Sequence, residues 1–530
     1  MPVSRVRGEF LILAIIVVTL TVRLPLLNIP FERDEGEYAY IGWRMGLHEL
    51  PYRDWVDQKP PGIFWVYRLA LALPVEPIRA VHLLGAFFAA ASAGALFVVA
   101  RRFLETFWAA VAGLLLGILS ADPTVQGNAA NTEIFMQLPL ILSSWALLAA
   151  ASGGARRVRF MVLAGAFAGL AALFKQVAGL HWFFLVLVFP MFCEREKCWR
   201  ETMAFAAWSA GGVILVWGAV MAYFRLEHGW HDFIYNVFLH NLDYIAALSP
   251  ADRVANLEDA AAHLWRSQAI IWFFSIVGGA LLLWRRQLNW FLFLALWMTT
   301  SAVGVNVSGY FFPHYFQSLL PVLALAAAVG ASGLDKARWW AQAPAWFRRT
   351  ALMLALALLP AVVMFPFLFR YTPEEAVSRI YPANPFAVMP ALGRRLAEVT
   401  RPEDRVFVFG SEPELLFYAR RASATRYIIL FPLFGPYADA REKQVATSVE
   451  ITQARPAAAF SLPNGLFFLP GAEPFLTTWS LDYLRRNFRP DQWLVADADG
   501  THHVLPATNG AAAPRMIVGE LLVRRKAAPP

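Results

Sequence analysis

Three carboxylates and one lysine in the first long polar stretch of the chain could do chemistry together. Asp34, Glu35 and Glu37 follow an apolar N-terminal run that ends at Pro30, and Lys59 follows in "DQKPP". A positioned carboxylate can take the proton of an attacking hydroxyl, and a lysine ammonium is a compact partner for phosphate. The set therefore predicts a reaction in which an acceptor loses a proton while a phosphate departs.

Each of these residues also has a structural alternative. Asp34 could cap the helix that follows, because Asp is a preferred N-cap and Glu37 stands three residues later, as in a capping box. Glu35 could be a first-turn acid that the helix dipole favours. Lys59 could extend to phospholipid headgroups without taking part in a site. The cap and the catalytic role of Asp34 are compatible with each other.

The composition indicates an integral membrane protein. Of 530 residues, 58% are hydrophobic and only 16% are charged, and the mean hydropathy is +0.48. The net charge of +8 does not predict nucleic-acid binding, since no basic stretch alternates with stacking aromatic residues. The two cysteines, Cys193 and Cys198, give no disulfide framework and a poor zinc spacing. They are expected to be inert cytosolic thiols.

Apolar runs of the length that a membrane crossing needs, roughly 20 residues, recur along the first two thirds of the chain. The predicted spans are 9–29, 78–100, 107–121, 133–151, 159–175, 177–193, 203–224, 269–284, 288–304, 314–332 and 350–369. These make about eleven transmembrane helices.

The distribution of arginine and lysine predicts how the chain is oriented. The loops expected on the same side as the N-terminus are basic, and their basic residues fall at 101–102, 156–159, 195–200, 285–286 and 336–349. Basic loops are cytoplasmic in membrane proteins. The N-terminus is therefore expected in the cytoplasm of a plasma or inner membrane. The acidic cluster is expected outside, and an odd number of spans places the C-terminus there too.

Two apolar pieces of the first outer loop are too short to cross a bilayer. One runs over 35–50, and the other, over 60–74, opens with two prolines and closes with a third, which limits its helix to about twelve residues. Both are rich in Trp and Tyr, which favour the headgroup layer. We expect interfacial helices that frame a site half in lipid and half in water, suited to a lipid-linked phosphate.

The composition of the sequence changes near Tyr371, where Pro, Asp, Glu and Arg become frequent. Strand-like runs occupy 405–410, 457–463, 493–500 and 515–525, and "EPELLFYARR" between the first two is helical in pattern. The chain is therefore predicted to consist of a transmembrane domain, 1–370, and an extracytoplasmic α/β domain, 371–530.

Several stretches resemble one family. "RDEGEYAYIGWRM" followed by "YRDWVDQKPPGIFWVY" resembles the first outer loop of the GT-C membrane glycosyltransferases. The similar branch is that of the protein O-mannosyltransferases and the lipid A aminoarabinose transferases. "GNAANTEIFMQLPLILSSWALLAA", "SGYFFPHYFQSLLPVLAL" and "FVFGSEPELLFYARRASATRY" are similar to later parts of the same group, in the same order. The resemblance covers most of the chain.

This resemblance implies a polyprenyl-phosphate-sugar donor and an inverting sugar transfer to a hydroxyl of a lipid, polysaccharide or protein. Asp34 matches the proposed general base, and Lys59 matches the lysine that meets the donor phosphate. Glu133 matches an acidic residue that faces the catalytic pocket, and Glu35 is expected to help shape that pocket. His314 and Tyr315 fall where contacts with the donor phosphate or the sugar are expected. The sequence departs from the aminoarabinose transferases at Gln58 and Gly36, which leaves the sugar and the acceptor open.

Alternatives remain for the outlying candidates. Glu133 could be a solvated helix start. Arg23 is expected to extend to headgroups and not to join a site, and so is Lys175, although Lys175 could reach phosphate. His228 and His231 could bind zinc, although the aromatic residues around them favour an interfacial loop. No cofactor is firmly implied, and a divalent metal stays possible.

Two other function classes compete with the transferase. A transporter or flippase of lipid-linked sugars would place its ionisable residues near the bilayer midplane, often within inverted repeats. Here the acids gather at one interface, and we find no repeat. A non-catalytic partner in envelope assembly is the other alternative.

Overall fold

The structure is a computed structural model that describes residues 2–193, 196–463, 469, 471–498, 500–507 and 516–525. Arg195, which belongs to the predicted cytoplasmic loops, lies outside the described residues. The helices are α1 (Pro2–Arg23), α2 (Arg33–Met45), α3 (Gly62–Ala70), α4 (Pro77–Ala100), α5 (Thr106–Leu119), α6 (Thr132–Ala151), α7 (Arg157–Ala172), α8 (Leu180–Val188), α9 (Cys198–Leu226), α10 (Trp230–Ile234), α11 (His240–Ala246), α12 (Pro250–Trp284), α13 (Leu288–Asn306), α14 (Leu320–Asp335), α15 (Ala345–Phe369), α16 (Pro373–Ile380), α17 (Met389–Val399), α18 (Pro413–Ala419), α19 (Ala440–Ala454) and α20 (Phe475–Asn487). The strands are β1 (Arg405–Phe409), β2 (Ala422–Ser423), β3 (Ala458–Ser461), β4 (Phe488–Ala496), β5 (His502–Pro506) and β6 (Ile517–Arg524).

Most of the chain is a bundle of apolar helices, as the sequence predicts, and the protein is a multi-pass membrane protein. Within the described residues, 8 helical segments are long and apolar enough to cross a membrane. Three of the predicted spans are shorter than a crossing requires. They form α5, with 14 residues, α7, with 16, and a broken helix over 176–192. The count of about eleven therefore stays a prediction.

The two ends of the helical bundle differ in charge, and the C-terminal domain covers only one of them. At one end the loop before α5 meets the loop before α15, where Arg349 pairs with Glu105 at 3.2 Å and with Asp335 at 3.2 Å. At the other end lie α2, α3 and the C-terminal domain. This arrangement gathers the acidic first loop and the C-terminal domain on one side of the bundle.

Helix α2 begins earlier than its apolar pattern predicts, because Glu32 caps it. The Glu32 carboxylate accepts hydrogen bonds from the backbone N–H groups of Asp34 and Glu35, each at 3.1 Å. The Glu35 carboxylate reaches back to the N–H of Glu32 at 3.4 Å and completes a capping box. The alternative role of Asp34 as the cap is therefore wrong. Asp34 stands inside the first turn, and its side chain is free to face elsewhere.

The first outer loop is packed between the bundle and the C-terminal domain. Residues 35–42 of α2 are all buried, against α3 on one side and α18 on the other. The helix ends at Met45 and not near residue 50, since the chain turns there and His48 adopts a left-handed conformation, φ 66°. The second piece is helical only over Gly62–Ala70. The Trp and Tyr residues of this loop thus serve in part as core side chains.

The C-terminal domain contains one six-stranded mixed sheet in the order β2-β1-β3-β6-β4-β5. Strands β1, β2 and β3 are parallel, and β6, β4 and β5 complete the sheet in antiparallel pairs. The four predicted strands correspond to β1, β3, β4 and β6. Strand β5, which pairs with β4, was not predicted. Its two consecutive histidines obscure the alternation of apolar and polar residues that is typical of a strand. The division of the chain at residue 370 stays a prediction.

Helix α18 docks the sheet domain directly onto α2. The Tyr418 hydroxyl accepts a hydrogen bond from the Phe31 backbone N–H at 2.8 Å, and the Tyr40 hydroxyl accepts one from the Ser423 N–H at 2.9 Å. Between these contacts, a Cβ atom added at Gly36 would lie 2.4 Å from Cβ of Glu414 and 2.6 Å from its backbone nitrogen. Only glycine permits this approach. The sheet domain therefore fixes the helix that carries Asp34.

Candidate active site

A cavity of about 680 Å³ lies between the helical bundle and the C-terminal domain. On the bundle side its lining is polar and includes Glu32, Arg33, Asp34, Glu37, Asp57, Gln58, Lys59, Gln126, His314 and Tyr315. The C-terminal side adds mainly apolar side chains, among them Phe386, Ile429, Phe431, Pro432, Leu462 and Val518. The cavity can therefore hold a molecule that has both a polar reacting end and an apolar body.

Asp34 lies between two basic groups at the polar wall of this cavity. Its Oδ2 atom is 3.7 Å from Lys59 Nζ and 3.8 Å from His314 Nε2. The other ring nitrogen of His314, Nδ1, donates to Oε1 of Gln126 at 2.8 Å and thereby orients the ring. Lys59 also lies over the Tyr38 ring, with 5.3 Å between Nζ and the ring centroid. The structure thus brings together Asp34, Lys59 and His314, as the sequence predicts.

The electrostatic surroundings keep the central pair ionised. Burial alone would raise the pKa of Asp34, but nearby positive charge, above all that of Lys59, outweighs it and lowers that pKa. Burial likewise works against the charge of Lys59, but Asp34 and other neighbouring groups raise the pKa of Lys59 well above its usual value. At neutral pH the cavity therefore presents a carboxylate that can accept a proton, beside a fixed cation.

A second ion pair lies next to this group. Lys175 Nζ is 2.5 Å from Glu133 Oε1, and the Thr132 hydroxyl donates to Glu133 Oε2 at 2.9 Å. The same Nζ lies 3.2 Å from the ring centroid of Tyr315. Glu133 is 0% exposed and thus is not a solvated helix start. The expectation that Lys175 extends to headgroups is wrong, because a carboxylate buried at the start of α6 holds it in place.

Glu35 has a different place from the one expected. It does not line the cavity, its side chain is 0% exposed, and its carboxylate is fully engaged. Oε1 lies 2.9 Å from His82 Nε2 and accepts the Ala130 backbone N–H at 2.7 Å. The geometry therefore contradicts a pocket-shaping role. Consecutive residues of a helix point in different directions, so Glu35 faces the bundle while Asp34 faces the cavity. The hydrogen bonds of Glu35 connect α2 to α4 and to the chain before α6.

Arg23 also differs from expectation. It is 2% exposed, and its guanidinium donates to the Ser120 carbonyl at 2.6 Å, so it does not extend to the headgroups. A neighbouring arginine that the sequence analysis passed over, Arg33, lines the cavity and pairs with Glu412 at 3.0 Å. Its Nε atom also donates to the Ser411 carbonyl at 2.5 Å. Its position beside Asp34 could have indicated a place in the site. Its partner, Glu412, lies almost four hundred residues away in the sequence and could not be inferred.

Metal binding finds no support in the described part of the chain. No group of three or more His, Cys, Asp or Glu side chains there has an arrangement that could hold a metal ion. His228 and His231 are included in that finding. Cys193 and Cys198 are both free thiols.

Comparison with known proteins agrees with the predicted fold. The sequence model of a family described as dolichyl-phosphate-mannose-protein mannosyltransferase matches residues 58–221, a stretch that holds Lys59, Glu133 and Lys175 but not Asp34. No curated protein matches the sequence. The family match thus covers less than half of the chain.

Solved structures extend the similarity over the whole chain. The crystal structure of ArnT from Cupriavidus metallidurans bound to undecaprenyl phosphate has 17% identity and a TM-score of 0.58 over 96% of this chain and 99% of that chain. The archaeal oligosaccharyltransferase AglB from Archaeoglobus fulgidus, in complex with an inhibitory peptide and a dolichol-phosphate, has 13% identity and a TM-score of 0.55 over 97% and 76%. The predicted GT-C fold, a polytopic helical bundle with a C-terminal sheet domain, is confirmed.

Proposed function

We propose that this chain is an inverting membrane glycosyltransferase. It moves a sugar from a polyprenyl-phosphate carrier to a hydroxyl of a lipid, glycan or protein acceptor. The observation that carries the proposal is the pairing of Asp34 with Lys59 at 3.7 Å on the wall of a cavity of about 680 Å³. The GT-C fold and the family match over residues 58–221 support the same reaction class.

In the proposed reaction the acceptor hydroxyl attacks the anomeric carbon from the face opposite the phosphate. A bond forms between the acceptor oxygen and the anomeric carbon while the bond from that carbon to the phosphate oxygen breaks, which inverts the configuration. Asp34 takes the hydroxyl proton, and the carrier leaves as polyprenyl phosphate. A positioned general base contributes about 10²–10⁴-fold to such a step.

The basic groups around Asp34 are assigned to the leaving phosphate. Lys59 is the nearest fixed cation to Asp34 and faces the cavity. The negative charge on the phosphate grows as the bond breaks, so a fixed cation stabilises the transition state more than the ground state. His314 and Tyr315 line the same wall, whereas Lys175 and Glu133 form an ion pair behind it that does not line the cavity, with Lys175 against the Tyr315 ring. His314 and Tyr315 are the further donor-phosphate contacts of the proposal.

We propose that the cavity opens on the extracytoplasmic side of a plasma or inner membrane. The loops around Glu105 and Arg349 lie at the opposite end of the bundle and are rich in arginine and lysine, as cytoplasmic loops are. The N-terminus would then be cytoplasmic and the domain from residue 371 extracytoplasmic. This placement gives the site access to a lipid-linked donor in the outer leaflet.

A reconstitution assay tests the proposal. The purified full-length chain is incubated with synthetic polyprenyl-phosphate sugars and membrane lipid, glycan and protein acceptors, and the anomeric configuration of the product is read by NMR. We expect transfer with inverted configuration, and no transfer when a nucleotide sugar replaces the lipid-linked donor. A product with retained configuration would exclude the single displacement. Transport of intact donor across a vesicle membrane without transfer would favour the flippase.

A further inference from the structure

Arg33 is a cation on the wall of the cavity that the mechanism above does not use. It is the first residue of α2 and directly precedes Asp34. Its guanidinium is directed toward the C-terminal domain, and every hydrogen bond that it makes within the described residues goes to that domain. A charge carried by the helix of the general base is therefore held by the other part of the protein.

Three hydrogen bonds fix the direction of this guanidinium. Its Nε atom donates to the Ser411 carbonyl at 2.5 Å, and its Nη2 atom donates to Glu412 Oε1 at 3.0 Å and to Asn384 Oδ1 at 3.3 Å. Its Cζ atom also lies 5.6 Å from the centroid of the Phe386 ring. Because all of these partners belong to the C-terminal domain, that domain determines where the charge of Arg33 lies.

Glu412 is buried and directly precedes α18, the helix that docks on α2. Its side chain is 0% exposed, its Oε1 atom accepts from Arg33, and its Oε2 atom accepts the Ser411 backbone N–H at 2.6 Å. Gly410 gives this carboxylate room, since a Cβ atom added there would collide with Glu412 Oε2. Removing Glu412 would leave the guanidinium without its counter-charge, which is costly. The pair is therefore a fixed link between the two domains.

The charge of Arg33 acts on Asp34, its neighbour in the chain. Burial works against the ionised form of Asp34, and Arg33 is one of the positive groups, after Lys59, that together lower the pKa of Asp34 below its usual value. Burial works against the charge of Arg33 as well, but Glu412 outweighs it and raises the pKa of Arg33. Burial also raises the pKa of Glu412, so Glu412 loses its charge first as the pH falls, while Arg33 keeps its own. Arg33 thus favours the ionised form of Asp34 throughout the pH range in which Asp34 titrates.

Arg33 differs from the other charged groups around Asp34 in the part of the protein that holds it. The others belong to the bundle and its loops, and they are Lys59, Lys175, His314, Glu32, Glu37 and Asp57. The tyrosines at the cavity stay neutral near pH 7 and add no charge. On the side of α18, Glu412 pairs with Arg33, and Glu414 packs against Gly36. Within the described residues, Arg33 is thus the charged neighbour of Asp34 that the C-terminal domain controls.

We propose that Arg33 and Glu412 are positioning residues for Asp34, through which the C-terminal domain takes part in the sugar transfer. The inference rests on the proposed function. Glu412 holds the guanidinium of Arg33, and Arg33 begins the helical turn that carries the base, so a shift of this pair moves Asp34 relative to the acceptor hydroxyl. A displacement of about 1 Å can cost about 100-fold in rate. The C-terminal domain is then a part of the catalytic unit.

Three changes in the pair test this assignment in the purified full-length protein. Glu412→Ala removes the partner of Arg33, whereas Glu412→Gln removes the charge but keeps an oxygen that accepts from Arg33. The double variant Arg33→Gln/Glu412→Gln keeps polar side chains at both positions and avoids the cost of a lone buried charge. The matched control is Arg395→Gln/Asp491→Asn, which removes the charges of a 2.8 Å ion pair of the C-terminal domain that does not line the cavity. Sugar transfer, the Kd for the polyprenyl-phosphate sugar and the unfolding temperature are measured for each variant.

We expect Glu412→Ala to lower the rate of transfer per folded molecule about 10- to 100-fold at neutral pH, with a donor Kd within a few-fold of wild type. Glu412→Gln should keep most of the rate, because its side-chain oxygen still orients Arg33. In the double variant the acidic limb of the rate profile should move to higher pH, since the loss of the Arg33 charge raises the pKa of Asp34. The control should change neither the rate nor the limb.

Several results would overturn the inference. Equal rates for Glu412→Ala and wild type, or an unmoved acidic limb in the double variant, would make the pair a structural link only. A loss in Glu412→Gln as large as that in Glu412→Ala would assign the effect to charge and not to position. A donor affinity that falls in step with the rate would place the pair in the donor site. Failure of wild type to transfer from any polyprenyl-phosphate sugar would instead remove the proposed function.

Discussion

Helix α2 has two faces with similar side chains in opposite surroundings. On the cavity face, the Asp34 carboxylate is 24% exposed and lies 3.7 Å and 3.8 Å from its basic neighbours, which is longer than a hydrogen bond. On the packed face, the Glu35 side chain is 0% exposed, and Oε1 alone has partners at 2.7 Å and 2.9 Å. One carboxylate keeps room for a ligand, and the other has its bonds within the protein.

The contrast shows that residue type and spacing do not by themselves identify a reactive acid. Asp34 and Glu35 are neighbours in one motif, yet only the former contacts the cavity. They differ in whether their carboxylate oxygens already have hydrogen-bond partners within the protein. The close approach of Gly36 to Glu414 also shows that α2 packs against the C-terminal domain as well as against the bundle. The packed face positions the cavity face, and the following predictions test that division.

Replacing Glu35 by Ala should have the largest effect on stability. Two buried donors, His82 Nε2 and the Ala130 N–H, would lose their acceptor, at about 1–3 kcal/mol each. We expect a marked fall in the unfolding temperature of the purified protein, with sugar transfer retained by the molecules that stay folded. Asp34→Ala is the matched variant and should show the reverse, lost transfer at an almost unchanged unfolding temperature. Equal stability of the two variants would remove the distinction between the faces.

Replacing Gly36 by Ala should be the next largest change. The new Cβ would meet backbone atoms of Glu414 that cannot move aside, so α2 and α18 must separate, at a cost of about 1–3 kcal/mol. Limited proteolysis of the C-terminal domain should become faster. Gly218→Ala is the control, because a Cβ there meets nothing within 4 Å. Similar proteolysis rates for both variants would show that the close approach does not hold the domains together.

The smallest expected effect is a shift in the pH dependence of transfer, measured on the residual rate because Lys59→Met also removes the cation assigned to the phosphate. Lys59 is the largest of the charges that lower the pKa of Asp34, so Lys59→Met should raise that pKa. A base must be ionised to act, and transfer therefore falls as pH drops through the pKa of Asp34. The acidic limb of the rate profile should move to higher pH in the variant. Lys336→Met, which removes one of the two basic partners of Glu105 at the far end of the bundle, should leave the limb in place. An unmoved limb in Lys59→Met would mean that Asp34 is not the titrating base.

The sequence predicted the elements with strong local patterns. The apolar runs gave the bundle, and β-type runs located β1, β3, β4 and β6. The motif around Asp34 and Lys59 was recognisable because both residues lie in one loop. Charge pairing across distant segments could not be predicted in the same way. Lys175 has an apolar context that favours extension to headgroups, and only the buried position of Glu133 explains why it turns inward.

The position of α2 illustrates what pattern alone leaves out. Its Trp and Tyr residues indicate the headgroup layer, but the same residues also form packed cores, as Tyr40 does against Ser423. The burial of Tyr40 arises from a tertiary contact, the docking of the C-terminal domain, that no local signal records. The cavity's apolar wall was missed for the same reason. Asp34 is the alternative cap in the sequence because Asp is a preferred N-cap type, whereas Glu32 does the capping. The cap is local, and Glu32 was passed over because Glu is not among the preferred N-cap types.

The most direct test of the central claim compares wild type with Asp34→Asn at a saturating concentration of polyprenyl-phosphate sugar. Asn keeps the size of the side chain but cannot act as the base. The account predicts a fall of about 10²–10⁴-fold in the rate of sugar transfer, with unchanged unfolding temperature and donor affinity within a few-fold of wild type. Transfer by Asp34→Asn at the wild-type rate would contradict it.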